Sequence, residues 1–136
     1  MKKYILITGV TGFLGSSLVK SFLLKGHSVI GLKRSFSDAN NLSDFLSHRN
    51  LILHNIDEID LESIFSMYCI DTIINSATSS SNRGGDICQI MDANLIFPLK
   101  ILECAYKNNC KQFINAGVFI PHGYIDTYYY RKKIFY

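Results

Sequence analysis

An α/β fold with a doubly wound parallel sheet of about five strands is predicted for this 136-residue chain by three observations. Short apolar runs alternate with longer segments of helical periodicity, the rhythm of strands joined by crossover helices. The runs are apolar throughout rather than alternating in polarity, as expected when helices cover both faces of a sheet. Glycines at 9, 12 and 15 fall between the first run and the first helical segment, where such folds place a ligand-binding turn.

The elements follow in order. Tyr4 to Ile7 reads as the first strand. Phe13 to Leu24 reads as a helix with Leu14, Leu18 and Phe22 as its buried stripe and Gly26 as its stop. Ser28 to Leu32 is a second strand, and the polar stretch Ser37 to His48, with Leu42, Phe45 and Leu46 on one side, a short helix. Leu51 to Leu53 is a third strand, Leu61 to Met67 a helix and Asp71 to Asn75 a fourth strand. Apolar residues from Ile87 to Ala105 recur at helical spacing over one long element, inside which Pro98 should introduce a kink or remove a hydrogen bond. Phe113 to Asn115 is a fifth strand, and Tyr128 to Tyr136 begins a last helix.

With 48% hydrophobic and 18% charged residues the chain can bury the core of one domain. A net charge of +3 is mild, and Lys and Arg are scattered until Arg131-Lys132-Lys133, so no nucleic-acid partner is expected. The apolar run after Met1 breaks at Thr8-Gly9, too early for a signal peptide or a membrane span, so no membrane association and a cytoplasmic location are expected. Cys69, Cys88, Cys104 and Cys110 show neither metal-ligand nor disulfide spacing, so no metal site is expected and all four read as buried small hydrophobes.

The turn Thr8-Gly9-Val10-Thr11-Gly12-Phe13-Leu14-Gly15 has the context that a dinucleotide-binding fingerprint requires. A first glycine permits a tight turn, a second lets backbone amides approach the phosphates, and a third lets helix pack closely on strand. The helix N-terminus adds unpaired N–H groups and a favourable dipole for a pyrophosphate. The fold is therefore read as Rossmann-type.

The pattern T-G-x-T-G-F-L-G resembles the extended short-chain dehydrogenase/reductase family, the NAD(P)-dependent epimerases and dehydratases of nucleotide sugars. Val29 to Ser35 resembles the family's second strand with its ribose-proximal end, Ile56-Asp57 the segment after its third strand, and Ile73-Ile74-Asn75-Ser76-Ala77 its fourth-strand segment. Asn94 to Ala105 is similar to its N-V-x-G-x-x-N-L-L-E-A-A helix. The resemblance implies that Thr8, Gly9, Thr11, Gly12, Phe13, Leu14, Gly15 and Ala77 bind cofactor, and that Asp57 accepts from the adenine amino group. On residue type alone Asp57 reads equally well as a carboxylate near the cap of the following helix.

Lys33-Arg34-Ser35 ends the second strand with no acid before Asp38, which favours NADP over NAD. Arg34 would bind a 2′-phosphate bidentately and Ser35 would add a hydroxyl donor. The resemblance implies a catalytic Tyr-x-x-x-Lys pair on one helix face, where the ammonium lowers the tyrosine pKa for proton exchange with a sugar hydroxyl. Tyr128 with Lys132 has that spacing, as does Tyr129 with Lys133; the first pair is preferred because Lys133-Ile134-Phe135 continues the family pattern. Asn94 matches the family's proton-relay asparagine; a buried polar residue facing the next strand is the alternative. The family's Ser or Thr past the fifth strand has no counterpart in Ala116-Gly117-Val118, and the stretch from there to Tyr128 is shorter than the family's.

Residues 1–136 are thus expected to form the cofactor-binding part of a nucleotide-sugar epimerase, dehydratase or reductase, truncated, with the substrate region absent. The resemblance also implies a homodimer through the helix that carries Tyr128. The competing reading is a non-catalytic, degenerate dinucleotide-binding module, and a flavodoxin-like phosphate-binding domain is a third.

Overall fold

The computed structural model describes residues 2–79 and 86–117. The strands β1 (Lys3–Thr8), β2 (Ser28–Lys33), β3 (Leu51–Asn55), β4 (Cys69–Asn75) and β5 (Gln112–Asn115) form one sheet in the order β3-β2-β1-β4-β5, with every pairing parallel. The helices are α1 (Phe13–Leu24), α2 (Leu61–Met67), α3 (Ile87–Met91) and α4 (Phe97–Lys107). The order reverses between β1 and β4, which makes the carboxyl ends of these two strands the switch point of the sheet.

Both faces of the central strands β1, β2 and β4 are covered, and this is why their runs are continuously apolar. Successive side chains of a strand point to opposite faces. Leu6, Ile30 and Ile73 accordingly join Ile64 and Phe65 of α2 and Ile101 and Cys104 of α4 in one core layer. Their neighbours Ile7, Val29 and Ile74 join Val19 and Leu23 of α1 in the other.

Several expectations are corrected. The buried stripe of α1 is Gly15, Ser16, Val19 and Leu23. Leu14 is exposed, while Leu18 and Phe22 pack only at the margin. The cause is steric: Gly15 must meet the turn after β1, and residues four and eight further on inherit that face. The stretch read as a helix from Ser37 to His48 is a 3-10 turn over Asn40–Phe45 that buries Leu42. The single long helix is instead α3 and α4 joined by one π turn, Asp92–Ile96, with Pro98 in the first turn of α4. A proline ring collides with the carbonyl four residues back in a regular helix. For Pro98 that residue is Asn94, which sits in the widened turn. Finally, only Cys104 is buried; Cys69 and Cys88 are exposed and Cys110 is intermediate, because Cys69 opens β4 and Cys88 lies in the short helix α3.

Candidate functional site

The carboxyl ends of β1 and β4 are drawn together around Gly9. Gly9 has a φ of +66°, a conformation open to glycine but strained for residues with a Cβ. A Cβ there would also lie 2.8 Å from both Cα and N of Ala77, so the turn after β1 and the loop after β4 touch along their backbones. Gly12 donates its N–H to the Gly9 carbonyl at 3.0 Å and closes the turn. A Cβ on Gly15 would sit 2.2 Å from the same carbonyl oxygen, so α1 lies directly on the turn.

Gly12 is the N-cap of α1 and has no side chain with which to cap it. The N–H groups of Phe13, Leu14 and Gly15 have no intrahelical acceptor in such a first turn and lie where the helix dipole favours an anion. By contrast, α2 and α3 are capped by Asp60 and Asp86, each accepting from a backbone N–H. Thr11 is held from outside the turn, its carbonyl accepting from Asn41 Nδ2 at 2.9 Å.

Thr8 is fully buried, and its hydroxyl organises the switch point. Thr8 Oγ1 accepts from the N–H groups of Ser76 at 3.2 Å and Ala77 at 3.1 Å and donates to Asn75 Oδ1 at 2.6 Å. Asn75 Nδ2 in turn donates to Asn115 Oδ1 at 2.8 Å. This polar ladder crosses the ends of β1, β4 and β5, whose residues Thr8, Asn75 and Asn115 are in register. Sequence reasoning did not single out Asn75 or Asn115. The available signal was that three apolar runs each close on a small polar residue.

At the same carboxyl end, on the β2 and β3 side, Ser35 and Asp57 meet. Asp57 accepts from the Ser35 N–H at 2.8 Å and from the Ser35 hydroxyl at 2.5 Å. The Ser35 hydroxyl, followed by its N–H, holds the Asp57 carboxyl below its ordinary pKa. The cap of α2 is Asp60, not Asp57. Lys33 Nζ donates to the carbonyls of Arg34, Ser35 and Ser37 and so folds this loop on itself. The Arg34 guanidinium lies 4.7 Å from the centre of the exposed Phe36 ring, within cation–π range.

Asn94, 6% exposed, faces the loop after β4. Its Oδ1 accepts from the Thr78 hydroxyl at 3.1 Å and the Ser79 N–H at 2.9 Å, and its Nδ2 donates to the Ser79 carbonyl at 2.8 Å. The side chain therefore pins that loop to the π turn. Tyr128, Lys132 and Val118 lie outside the described residues, as does the helix expected to mediate dimerisation. No helix among the described residues is long and apolar enough to cross a membrane.

Residues 5–118 match the model of the NAD dependent epimerase/dehydratase family. The chain is 30% identical over 119 residues to CDP-abequose synthase of Salmonella typhimurium, covering 88% of this chain and 39% of that protein. Among solved structures it is similar to the UDP-glucose 4-epimerase of Thermotoga maritima with UDP-glucose, at 27% identity and a TM-score of 0.72, covering 85% of this chain and 38% of the other. The fold is shared with the UDP-glucose 4-epimerase of Bifidobacterium longum in complex with NAD+ and UDP, with a TM-score of 0.77 at 22% identity, covering 96% and 46% of the two chains. The chain thus spans less than half the length of these relatives. It belongs to the NAD dependent epimerase/dehydratase family.

Proposed function

We propose that this family member binds the dinucleotide for a nucleotide-sugar epimerase, dehydratase or reductase, with the pyrophosphate at the N-terminus of α1. The observation that carries the reading is the turn itself. Gly9, Gly12 and Gly15 bring β1, α1 and the loop after β4 into backbone contact, and α1 begins without a side-chain cap. A nucleotide-sugar substrate is inferred from what the relatives' names say of them, and a cytoplasmic location and pairing through the helix of Tyr128 belong to the same reading. Tyr128 and Lys132 are proposed to exchange the proton, and Asn94, which holds the loop after β4, to relay it.

We further propose NAD rather than NADP as the cofactor. The preference for NADP read from Lys33-Arg34-Ser35 counted the Ser35 hydroxyl as a phosphate donor, yet both the hydroxyl and the N–H of Ser35 are engaged by Asp57. Asp57, its pKa lowered chiefly by the Ser35 hydroxyl, remains ionised and adds negative charge where a 2′-phosphate would approach. Asp57→Asn should narrow the NAD preference by about fivefold, the upper range for an exposed charge pair.

Thermal unfolding of the purified chain tests the main reading. NAD+ at about 100 times its Kd should stabilise the fold by about 2.7 kcal/mol, whereas no stabilisation by NAD+ or NADP+ would sink it. A second reading, a non-catalytic binding module, is favoured by the absence of a hydroxyl from Ala116-Gly117-Val118. Stabilisation by NAD+ without hydride exchange in the presence of any nucleotide sugar would favour that module.

A further inference from the structure

We propose that the side-chain amide of Asn115 is an oriented hydrogen-bond donor to an oxygen of the nicotinamide-riboside half of the dinucleotide, an inference that rests on the cofactor reading above. Its orientation follows from counting protons. Thr8 Oγ1 accepts two backbone N–H groups, so its single proton goes to Asn75 Oδ1. With its carbonyl occupied in this way, Asn75 presents Nδ2 to Asn115, and the Asn115 atom that receives it must be Oδ1. The Asn115 amide cannot flip without placing two NH2 groups face to face. Its Nδ2 is thereby turned away from the ladder, and it has no hydrogen-bond partner among the described residues.

The location fits one half of the ligand. Ser35 and Asp57 sit at the β2 and β3 side of the glycine turn, where the adenosine half would lie, and β4 and β5 extend to the other side. Neighbouring strands are about 4.8 Å apart, so the end of β5 lies roughly 10 Å from the end of β1. A ribose and a nicotinamide ring leaving a pyrophosphate above β1 would cover that span. Asn115 closes β5 and is half-buried, and the three residues that follow it, Ala116, Gly117 and Val118, offer no side-chain donor.

Asn115→Asp separates a ligand contact from a structural role, because a carboxylate still accepts from Asn75 Nδ2 but has no proton to donate. NADH, whose ring carries no charge, is the probe, and ADP, which lacks the nicotinamide riboside, is the control for folding. The variant should bind NADH roughly three- to tenfold more weakly, the size of one neutral hydrogen bond, with ADP affinity unchanged. ADP-ribose identifies the acceptor: an equal loss with ADP-ribose points to a ribose hydroxyl, and a loss confined to NADH points to the carboxamide oxygen. Unchanged NADH affinity, or equal weakening of NADH and ADP, would overturn the assignment while leaving the cofactor reading intact. Failure of the unaltered chain to bind either NADH or ADP would overturn both.

Discussion

Replacing Gly15 with alanine sets two physical effects of opposite sign against each other. Gly15 lies inside α1, where intrinsic propensity favours alanine over glycine by about 1 kcal/mol. The added Cβ, however, would stand 2.2 Å from the Gly9 carbonyl oxygen, 2.7 Å from its carbon and 2.9 Å from Val10 Cα. All three are backbone atoms in a turn closed by the Gly12 to Gly9 hydrogen bond, so no side chain can swing aside to relieve the contact. Overpacking in rigid surroundings costs about 1–3 kcal/mol, and the upper end applies here, leaving a net loss of roughly 1–2 kcal/mol after the propensity gain. For a chain of this size that lowers Tm by roughly 4–8 °C. Lifting α1 off the turn also displaces the first-turn N–H groups, so NAD+ affinity should fall by more than the stability loss alone explains. Circular dichroism melting and titration calorimetry with NAD+ read the two effects. Gly26→Ala is the comparison, since Gly26 has a φ of +81° but nothing within 4 Å of an added Cβ. It should lower Tm through backbone strain alone and leave NAD+ affinity unchanged. A Gly15→Ala variant that melts higher than the parent and binds NAD+ equally well would refute the close-contact argument.

Three further outcomes are expected. Thr8→Val removes the hydroxyl that serves Ser76, Ala77 and Asn75 together, and should destabilise by roughly 2–4 kcal/mol in chemical denaturation; recovery of most of this loss by Thr8→Ser would separate the hydrogen bonds from packing. Asp60→Ala removes the α2 cap bonded to the Ser63 N–H at 2.8 Å and should cost about 1 kcal/mol, with Asp60→Ser close to the parent. His54, bonded to the Tyr68 hydroxyl at 3.1 Å, has its pKa lowered by burial. The unfolded chain therefore takes up the proton more readily: the contribution is complete above the ordinary imidazole value of about 6.5 and is lost as pH falls toward the folded pKa. Tm should thus drop more between about pH 7 and pH 5 in the parent than in His54→Gln, and parallel curves would count against this assignment.

What the sequence made legible was whatever local periodicity and chain punctuation encode. The bounds of α1, Phe13–Leu24, and of α2, Leu61–Met67, match the sequence reading because a glycine turn and Asp60 mark where they begin. The five strands were visible as apolar runs. Which stripe of α1 faces inward was not, because the decisive contact is between Gly15 and a carbonyl six residues earlier rather than among the apolar side chains of the helix. The π turn escaped notice because Pro98 says that something must yield, without saying whether a kink or a widened turn will result. The pairing of Ser35 with Asp57 depends on the register of β2 against β3, and the ladder from Thr8 to Asn115 on that of three strands. A single sequence carries no trace of register until the sheet is assembled.

That assembly has an order in time. β1 occupies the centre of the sheet, yet the partner on one of its sides, β4, is separated from it along the chain by 67 residues at the Thr8–Asn75 contact. At about 5–20 residues per second, a ribosome would take roughly 3–13 s between releasing one and releasing the other. Throughout that interval β1 and β2 can pair, but one side of β1 presents open amides and carbonyls to other nascent chains. Until Asn75 arrives, the glycine turn that follows β1 also lacks the wall formed by Ser76 and Ala77, so completion of the central strand and completion of the proposed cofactor site are a single late event in synthesis.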